Sequence, residues 1–254
     1  LEEDLYRRDL TINAIAEDED GNLIDPFNGL EDIKRKKLKA VSKAFSEDPL
    51  RALRVARFMS QLNGFTLHSD TEDELIKISE KKELYDLSRE RVWEEVTKAL
   101  HHDFLKFLKV IKKYKLKEPW FSNLDNVPKE IPISIHKENM WCYVSKLNHY
   151  DFGSELIHKK TFKVFLEAWQ KLDELSNPRN KEQLIRALGG LCSPKFSQII
   201  KNIIGYRNDP DEYLSILRDF NNKDFSYLND LSSQQTIHEK NKFWNALIVK
   251  YNLL

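Results

Sequence analysis

From Glu47 onward the chain is patterned for helices, with apolar residues recurring at three- and four-residue spacing and polar ones between them. In SEDPLRALRVARFMSQLN, Ser46 is placed to cap, acidic residues fill the first turn, and Pro49 comes early, where its missing N–H does no harm. The same spacing predicts helices over Thr71 to Leu87, Ser88 to His101 with Ser88 as cap, and Asp103 to Leu116. Further amphipathic stretches cover residues 137–149, 155–175, 180–188, 195–204, 210–220 and 233–250. Strand signals are confined to the first forty or so residues. There Ala14-Ile15-Ala16 and Leu23-Ile24-Asp25 flank Asp20-Gly21-Asn22, a hairpin whose turn uses the positive φ that glycine tolerates. LEDIKRKK predicts a short helix after Gly29, and Leu38-Lys39-Ala40-Val41 a short strand. The fold class is therefore mostly α with a small N-terminal α/β piece. Pro119, Pro128 and Pro132 break the pattern, and the best domain boundary falls there.

Composition narrows the class of protein. The 254 residues carry 41 Lys plus Arg against 41 Asp plus Glu, so nucleic-acid contact has to come from local patches rather than an overall positive field. No apolar run approaches the ~20 residues that span a bilayer, so no membrane partner is expected and a cytoplasmic location is the default. Cys142 and Cys192 lie far apart without ligand-like neighbours and read as small core residues.

Chemistry concentrates at two places. Arg51, Arg54 and Arg57 recur every third residue, and in a helix they occupy an arc of about 120°. Asp48 precedes Arg51 by one turn, close enough to share a ligand. A carboxylate only accepts and a guanidinium only donates, so the pair matches an edge with an amino group beside a ring nitrogen. Cytosine and adenine present that edge; uracil and guanine present the reverse. The remaining arginines suit phosphate oxygens. The plainer reading makes Asp48 a cap and the arginines a solvated face, but Leu50, Leu53, Val55, Ala56, Phe58 and Met59 fill the wheel around them. Guanidinium groups on so apolar a helix need anionic partners. The second place is YRRDLTINAIA. Arg7 and Arg8 are suited to a triphosphate, Asp9 either accepts from a ribose hydroxyl or anchors an arginine, and Asn13 is able to donate and accept at the same site. Its plain alternative is an N-cap at Asp9 behind two exposed arginines.

Other features carry less. Glu17 to Asp20 contains a D-x-D spacing, but in a hairpin turn such carboxylates lack a rigid geometry for Mg²⁺. The runs KRKKLK (Lys34 to Lys39) and KFLKVIKKYKLK (Lys106 to Lys117) either track an RNA backbone or form solvated faces. His102-Asp103 alone does not make a metal phosphohydrolase.

RRDLTINAIA, DGNLIDPFNGLEDI, EDPLRALRVARF and LSRERVWEEVTKAL, in this order, resemble the bacterial class II tRNA nucleotidyltransferases, the CCA-adding enzymes. More distantly they resemble the bacterial poly(A) polymerases of the same superfamily. The similarity runs from about Glu2 to about Asp125. It implies template-independent addition of C, C and A to the tRNA acceptor end from CTP and ATP with Mg²⁺. On matching motif positions it implies nucleotide-binding roles for Arg8, Arg54 and Arg57, base reading by Asp48 and Arg51, and a ribose contact for Asp9. Arg7 and Asn13 fall in the same motif. The implied architecture is the C-terminal part of a polymerase-β-like nucleotidyltransferase head (residues 1–45), a helical neck with the base-reading helix (46–120), and a helical body and tail along the tRNA (121–254). The family's Gly-rich turn and D-x-D strand lie upstream of the RRD motif and have no counterpart here. The expectation is therefore a fragment with no catalytic carboxylates and no metal ligands of its own, inactive alone. The paired His and Asp motifs of an HD phosphohydrolase have no counterpart here either, so phosphodiesterase or phosphatase activity is not expected. The alternatives are a poly(A) polymerase and a noncatalytic RNA-binding module.

Overall fold

The computed structural model describes residues 1–130, 137–157, 159–176, 215, 219, 222–224 and 226–251. The helices expected over 180–188 and 195–204, and most of 210–220, lie outside the described residues. The described chain is mostly helical with small pieces of sheet. Two compact units divide it, residues 1–157 and 158–254.

The first unit begins with α1 (Glu2–Tyr6), a 3₁₀ turn at Thr11–Asn13, and an antiparallel hairpin of β1 (Ala16–Glu17) and β2 (Leu23–Ile24). Ala16 pairs with Ile24 and Glu17 with Leu23. The turn closes because Gly21 adopts φ 84° and the Asp18 carboxylate accepts from the N–H groups of Asp20 and Asn22. The exposed D-x-D carboxylate is thus committed to its own turn.

α2 (Gly29–Lys34) follows. Asp25 satisfies its first donors, accepting from the Gly29 and Leu30 N–H groups at 2.6 and 2.9 Å. Gly29 is needed for a close approach: a Cβ there would lie 2.2 Å from the Thr11 carbonyl oxygen. The Thr11 hydroxyl in turn donates to Asp32 on α2 at 2.7 Å.

β3 (Lys37–Leu38) pairs in parallel with β4 (Thr66–Leu67), in the register Lys37 to Thr66 and Leu38 to Leu67. Strand structure therefore extends beyond the first forty residues, a correction to the sequence expectation. Two residues of strand are too few to show alternation, and the pairing joins segments 29 residues apart.

α3 (Leu50–Gln61), α4 (Ser69–Glu80), α5 (Arg89–Ala99) and α6 (Phe104–Lys113) form the helical body of this unit. The N-caps are His68 for α4, Ser88 for α5 and Asp103 for α6. α4 stops at Glu80, where Lys82 takes φ 57°, so the predicted run to Leu87 ends in a 3₁₀ turn. Ser46 does not cap α3. Its hydroxyl donates to Lys43, Asp48 stays extended, and Asp48 accepts instead from the Leu50 N–H. Proline at 49 holds the preceding residue out of the helical region, which starts the helix later than the Ser46 reading expects.

α3 packs against both α5 and α6. Leu53, Val55, Ala56, Val92, Val96, Phe107 and Leu108 are buried. An aromatic chain then runs Phe104, Phe107, Phe121, Phe152 and Trp141, with Trp141 from α7 (Lys137–Leu147) 4.7 Å from Phe152 and 5.4 Å from Trp93. Those rings belong to the first unit, which runs on to Ile157. The prolines interrupt helix there without ending the core. Cys142 is a buried free thiol, with its pKa pushed up by burial. The second unit is described in α8 (Lys160–Ser176) and α9 (Ser233–Lys250), with Trp169, Leu172, Trp244, Leu247 and Ile248 buried. Among the described residues no helix is long and apolar enough to cross a membrane.

Candidate functional site

The segment carrying Arg7, Arg8 and Asp9 is fixed by backbone bonds to residues near 40. Leu10 bridges Ala40, Thr11 N–H donates to the Lys39 carbonyl, and Val41 N–H donates to the Asp9 carbonyl. Asp9 is thereby held against α3 with a relative exposure of 5%. Its Oδ1 accepts from the Leu10 N–H at 2.9 Å and Asn13 Nδ2 at 3.0 Å, and its Oδ2 accepts from Arg54 Nε at 2.7 Å. Burial alone would raise the Asp9 carboxyl. Hydrogen bonds from Asn13, Arg54 and the backbone, with the Arg54 charge, outweigh burial and hold it below its ordinary value. Of the two sequence readings, ribose contact or arginine anchor, the unliganded geometry displays the anchor.

Arg54 is half-buried. Burial works against its charge, but Asp9 first, then Glu95 and Asp48, leave its pKa above the ordinary arginine value. Among the described residues only its Nε is hydrogen-bonded; the two terminal nitrogens make none.

The neighbouring arginines of α3 meet different ends. Arg57, 7% exposed, donates from Nε to the buried Glu95 at 2.5 Å and from Nη1 to Gln61 at 2.6 Å, with its guanidinium 4.0 Å from the Phe58 ring centre. Arg51 donates to the Ala44 carbonyl and, at 2.5 Å, to the Arg7 carbonyl. Asp48 accepts from Arg91 of α5 at 2.8 Å. Arg8 pairs with Asp4 at 2.7 Å on an exposed face, and Arg7 is exposed.

The structure therefore brings Asp9, Asn13 and Arg54 into direct contact and ties Arg51 to the backbone of Arg7. Asp48 and Arg51 make no side-chain bond to each other, and Arg57 faces inward. Capacity remains at the reading pair. A guanidinium has five N–H donors and Arg51 uses two; a carboxylate has about four acceptor positions and Asp48 uses two.

Three partners of this site escape a residue-by-residue reading: Arg91, Glu95 and Gln61. Glu95 carries a signal, because it interrupts the apolar face Val92, Trp93, Val96 and Ala99 of α5, and a carboxylate there needs a cation. Arg91, four residues before it, leaves no comparable trace.

Among the described residues no group of three or more His, Cys, Asp or Glu could hold a metal ion.

Residues 1–39 match the family described as the Poly A polymerase head domain. The chain is 46% identical over 144 residues to the multifunctional CCA protein of Pseudomonas fluorescens (strain SBW25), covering 54% of this chain and 35% of that relative. It is 55% identical over 103 residues to the CCA-adding enzyme of Marinobacter nauticus, covering 40% of this chain and 28% of that enzyme. The chain thus spans about a third of the length of these curated relatives. Among solved structures, a CCA-adding enzyme in complex with ATP aligns with TM-score 0.65 and 22% identity, over 98% of this chain and 67% of that one. The Bacillus stearothermophilus CCA-adding enzyme in complex with CTP aligns with TM-score 0.59 and 23% identity, over 98% and 70%. At such identities the likeness concerns the fold, a polymerase-like head followed by a helical body. The head-domain match and the relatives thus make the N-terminal half of the chain similar to the CCA-adding enzymes and to the poly(A) polymerase head.

Proposed function

We propose that this chain supplies the nucleotide-selecting part of an enzyme that adds CCA to tRNA 3′ ends from CTP and ATP without a template. The 3′ hydroxyl of the tRNA attacks the α-phosphorus of the bound nucleotide, and pyrophosphate leaves. Mg²⁺ neutralises the triphosphate in such reactions. Asp18 is occupied by its turn, and the described residues give no ligand set, so no step here is routed through the ion.

The observation that carries the reading is Arg54. Held through Nε by a buried Asp9, it keeps its two terminal nitrogens for the fork-like grip on phosphate oxygens. Asn13 fixes Asp9, and so fixes the guanidinium. Arg7 and Arg8 add positive charge at the exposed edge. Asp48 and Arg51 read the base through their unused acceptor and donor positions, accepting the amino group and donating to the ring nitrogen of C or A. Arg57 supports α3 from behind through Glu95. On this reading residues 1–45 complete a head, 46–120 form the neck, and residues 121–254 contribute to holding tRNA. That substrate places the work in the cytoplasm.

The match to a head domain named for poly(A) polymerase favours one second reading, addition of A alone. Titration of the 254-residue chain with each nucleotide tests base selection. CTP and ATP are expected to bind about tenfold or more tighter than UTP and GTP, the scale of one charged hydrogen bond. Equal affinity for all four overturns it. With the catalytic carboxylates supplied by fusion to a relative's head, a tRNA ending before CCA is expected to gain C, C and A. Repeated A without C selects the poly(A) reading instead.

A further inference from the structure

We infer that the two lysine runs, Lys34–Lys39 and Lys106–Lys117, form one surface across β3 and β4 that tracks an RNA phosphate backbone. The inference rests on tRNA being the substrate, as proposed above. The parallel register sets Lys37 beside Thr66, and Lys37 Nζ donates to the Thr66 hydroxyl at 2.9 Å. The chain then turns into α4, whose Glu72 reaches Lys113 on α6 at 2.9 Å. Glu72 connects the two runs. The Tyr114 hydroxyl and Lys113 bond to it, and the charges of Lys113 and Lys37 add to that effect, holding its carboxyl below the ordinary value.

Two recesses flank this seam and share Leu67. One, of about 510 Å³, has an apolar floor that includes Phe65 and Val110, with Lys106, Lys109 and Lys113 around it. The other, of about 610 Å³, is polar and holds Arg35, Lys37, Lys39 and His68. Its acidic residues are engaged, Glu31 with Arg35 and Asp32 with the Thr11 hydroxyl. Lys106 bonds Asn63 and pairs with Asp103. Among the described residues Lys36, Lys39 and Lys109 have no carboxylate partner. Spaced cations beside concave recesses fit a strand with phosphates on one side and bases on the other. A flat lipid surface does not enter such recesses.

The test is tRNA binding by the full chain as a function of salt, with Lys36→Gln/Lys39→Gln/Lys109→Gln against wild type. The triple variant is expected to bind tRNA about tenfold or more weakly at low salt, and to lower the slope of log affinity against log salt by about 2–3. Each single variant is expected to lower it by about 1. Lys81→Gln/Lys82→Gln, on an exposed turn, should leave the slope unchanged. An unaltered affinity and slope in the triple variant overturns the inference, as does an equal loss in the Lys81/Lys82 variant. CTP affinity is expected to stay the same in all of them. Should wild type fail to bind CTP while tRNA binding keeps its dependence on these lysines, the nucleotidyltransferase reading falls and this surface stands.

Discussion

Arg57 and Arg51 sit six residues apart on one helix, yet one is enclosed and the other sits at the rim. Arg57 faces a buried carboxylate and an aromatic ring, and every strong partner it has is a side chain of the same unit. Arg51 leans on two backbone carbonyls, beside an Asp48 that is held by the Leu50 N–H and a half-exposed Arg91. Arg54 lies between them, anchored at one nitrogen and open at two. The contrast shows how a single stripe of like charges divides its work by depth. On the proposed function, the deepest member stabilises the helix, the middle one is oriented for a ligand, and the outermost keeps exchangeable bonds.

This division can be broken from the inside outward. Replacing Arg57 by Ala leaves the buried Glu95 carboxylate with the half-exposed Lys98, 3.2 Å away, as its remaining charged partner among the described residues. It is expected to cost about 3–5 kcal/mol in urea unfolding, whereas Arg57→Met with Glu95→Leu should recover most of that loss. If Arg57→Ala is tolerated and instead removes only nucleotide binding, the inner arginine belongs with the ligand and the gradient fails.

Asp9→Asn should cost less, about 1–3 kcal/mol, because the amide still packs but no longer matches Arg54 Nε. Its pH dependence sharpens the point. The folded carboxyl lies below the ordinary 3.8, so the ionised group contributes stability above that value and loses it as pH falls through the lower folded one. The stability gap between wild type and Asp9→Asn should narrow on acidification below about pH 4. A constant gap would mean that the charge of Asp9 does not contribute. CTP affinity should fall in the same variant.

The smallest change in stability, under about 1 kcal/mol, is expected for Asp48→Ala, since its pair with Arg91 is partly solvated. Its effect should show in discrimination: UTP and GTP should approach CTP and ATP in binding titrations. Unchanged selectivity would remove Asp48 from base reading.

Much of this was legible because it is local. The cap Ser88, the Gly21 hairpin, and the arc of arginines all follow from spacings within one or two turns. What was not legible depends on partners far along the chain. Arg57 and Glu95 are 38 residues apart, Arg91 and Asp48 are 43 apart, and β4 exists only because β3 pairs with it. Periodicity marks which face of α3 is apolar but does not say which arginine that face will enclose. The proline-rich stretch breaks helix, a local event, while Phe107 before it, Phe121 within it and Phe152 after it build one aromatic core through contacts distant in sequence.

The contact between Gly29 and the Thr11 carbonyl has an evolutionary corollary. The start of α2 and the loop that presents Asp9 approach so closely that a hydrogen is the only substituent position 29 admits. A saturation library at that codon should return a single amino acid among folded clones, even though glycine brings no side chain to the site. Drift can proceed on the surface of the hairpin, but the seam beneath it is frozen.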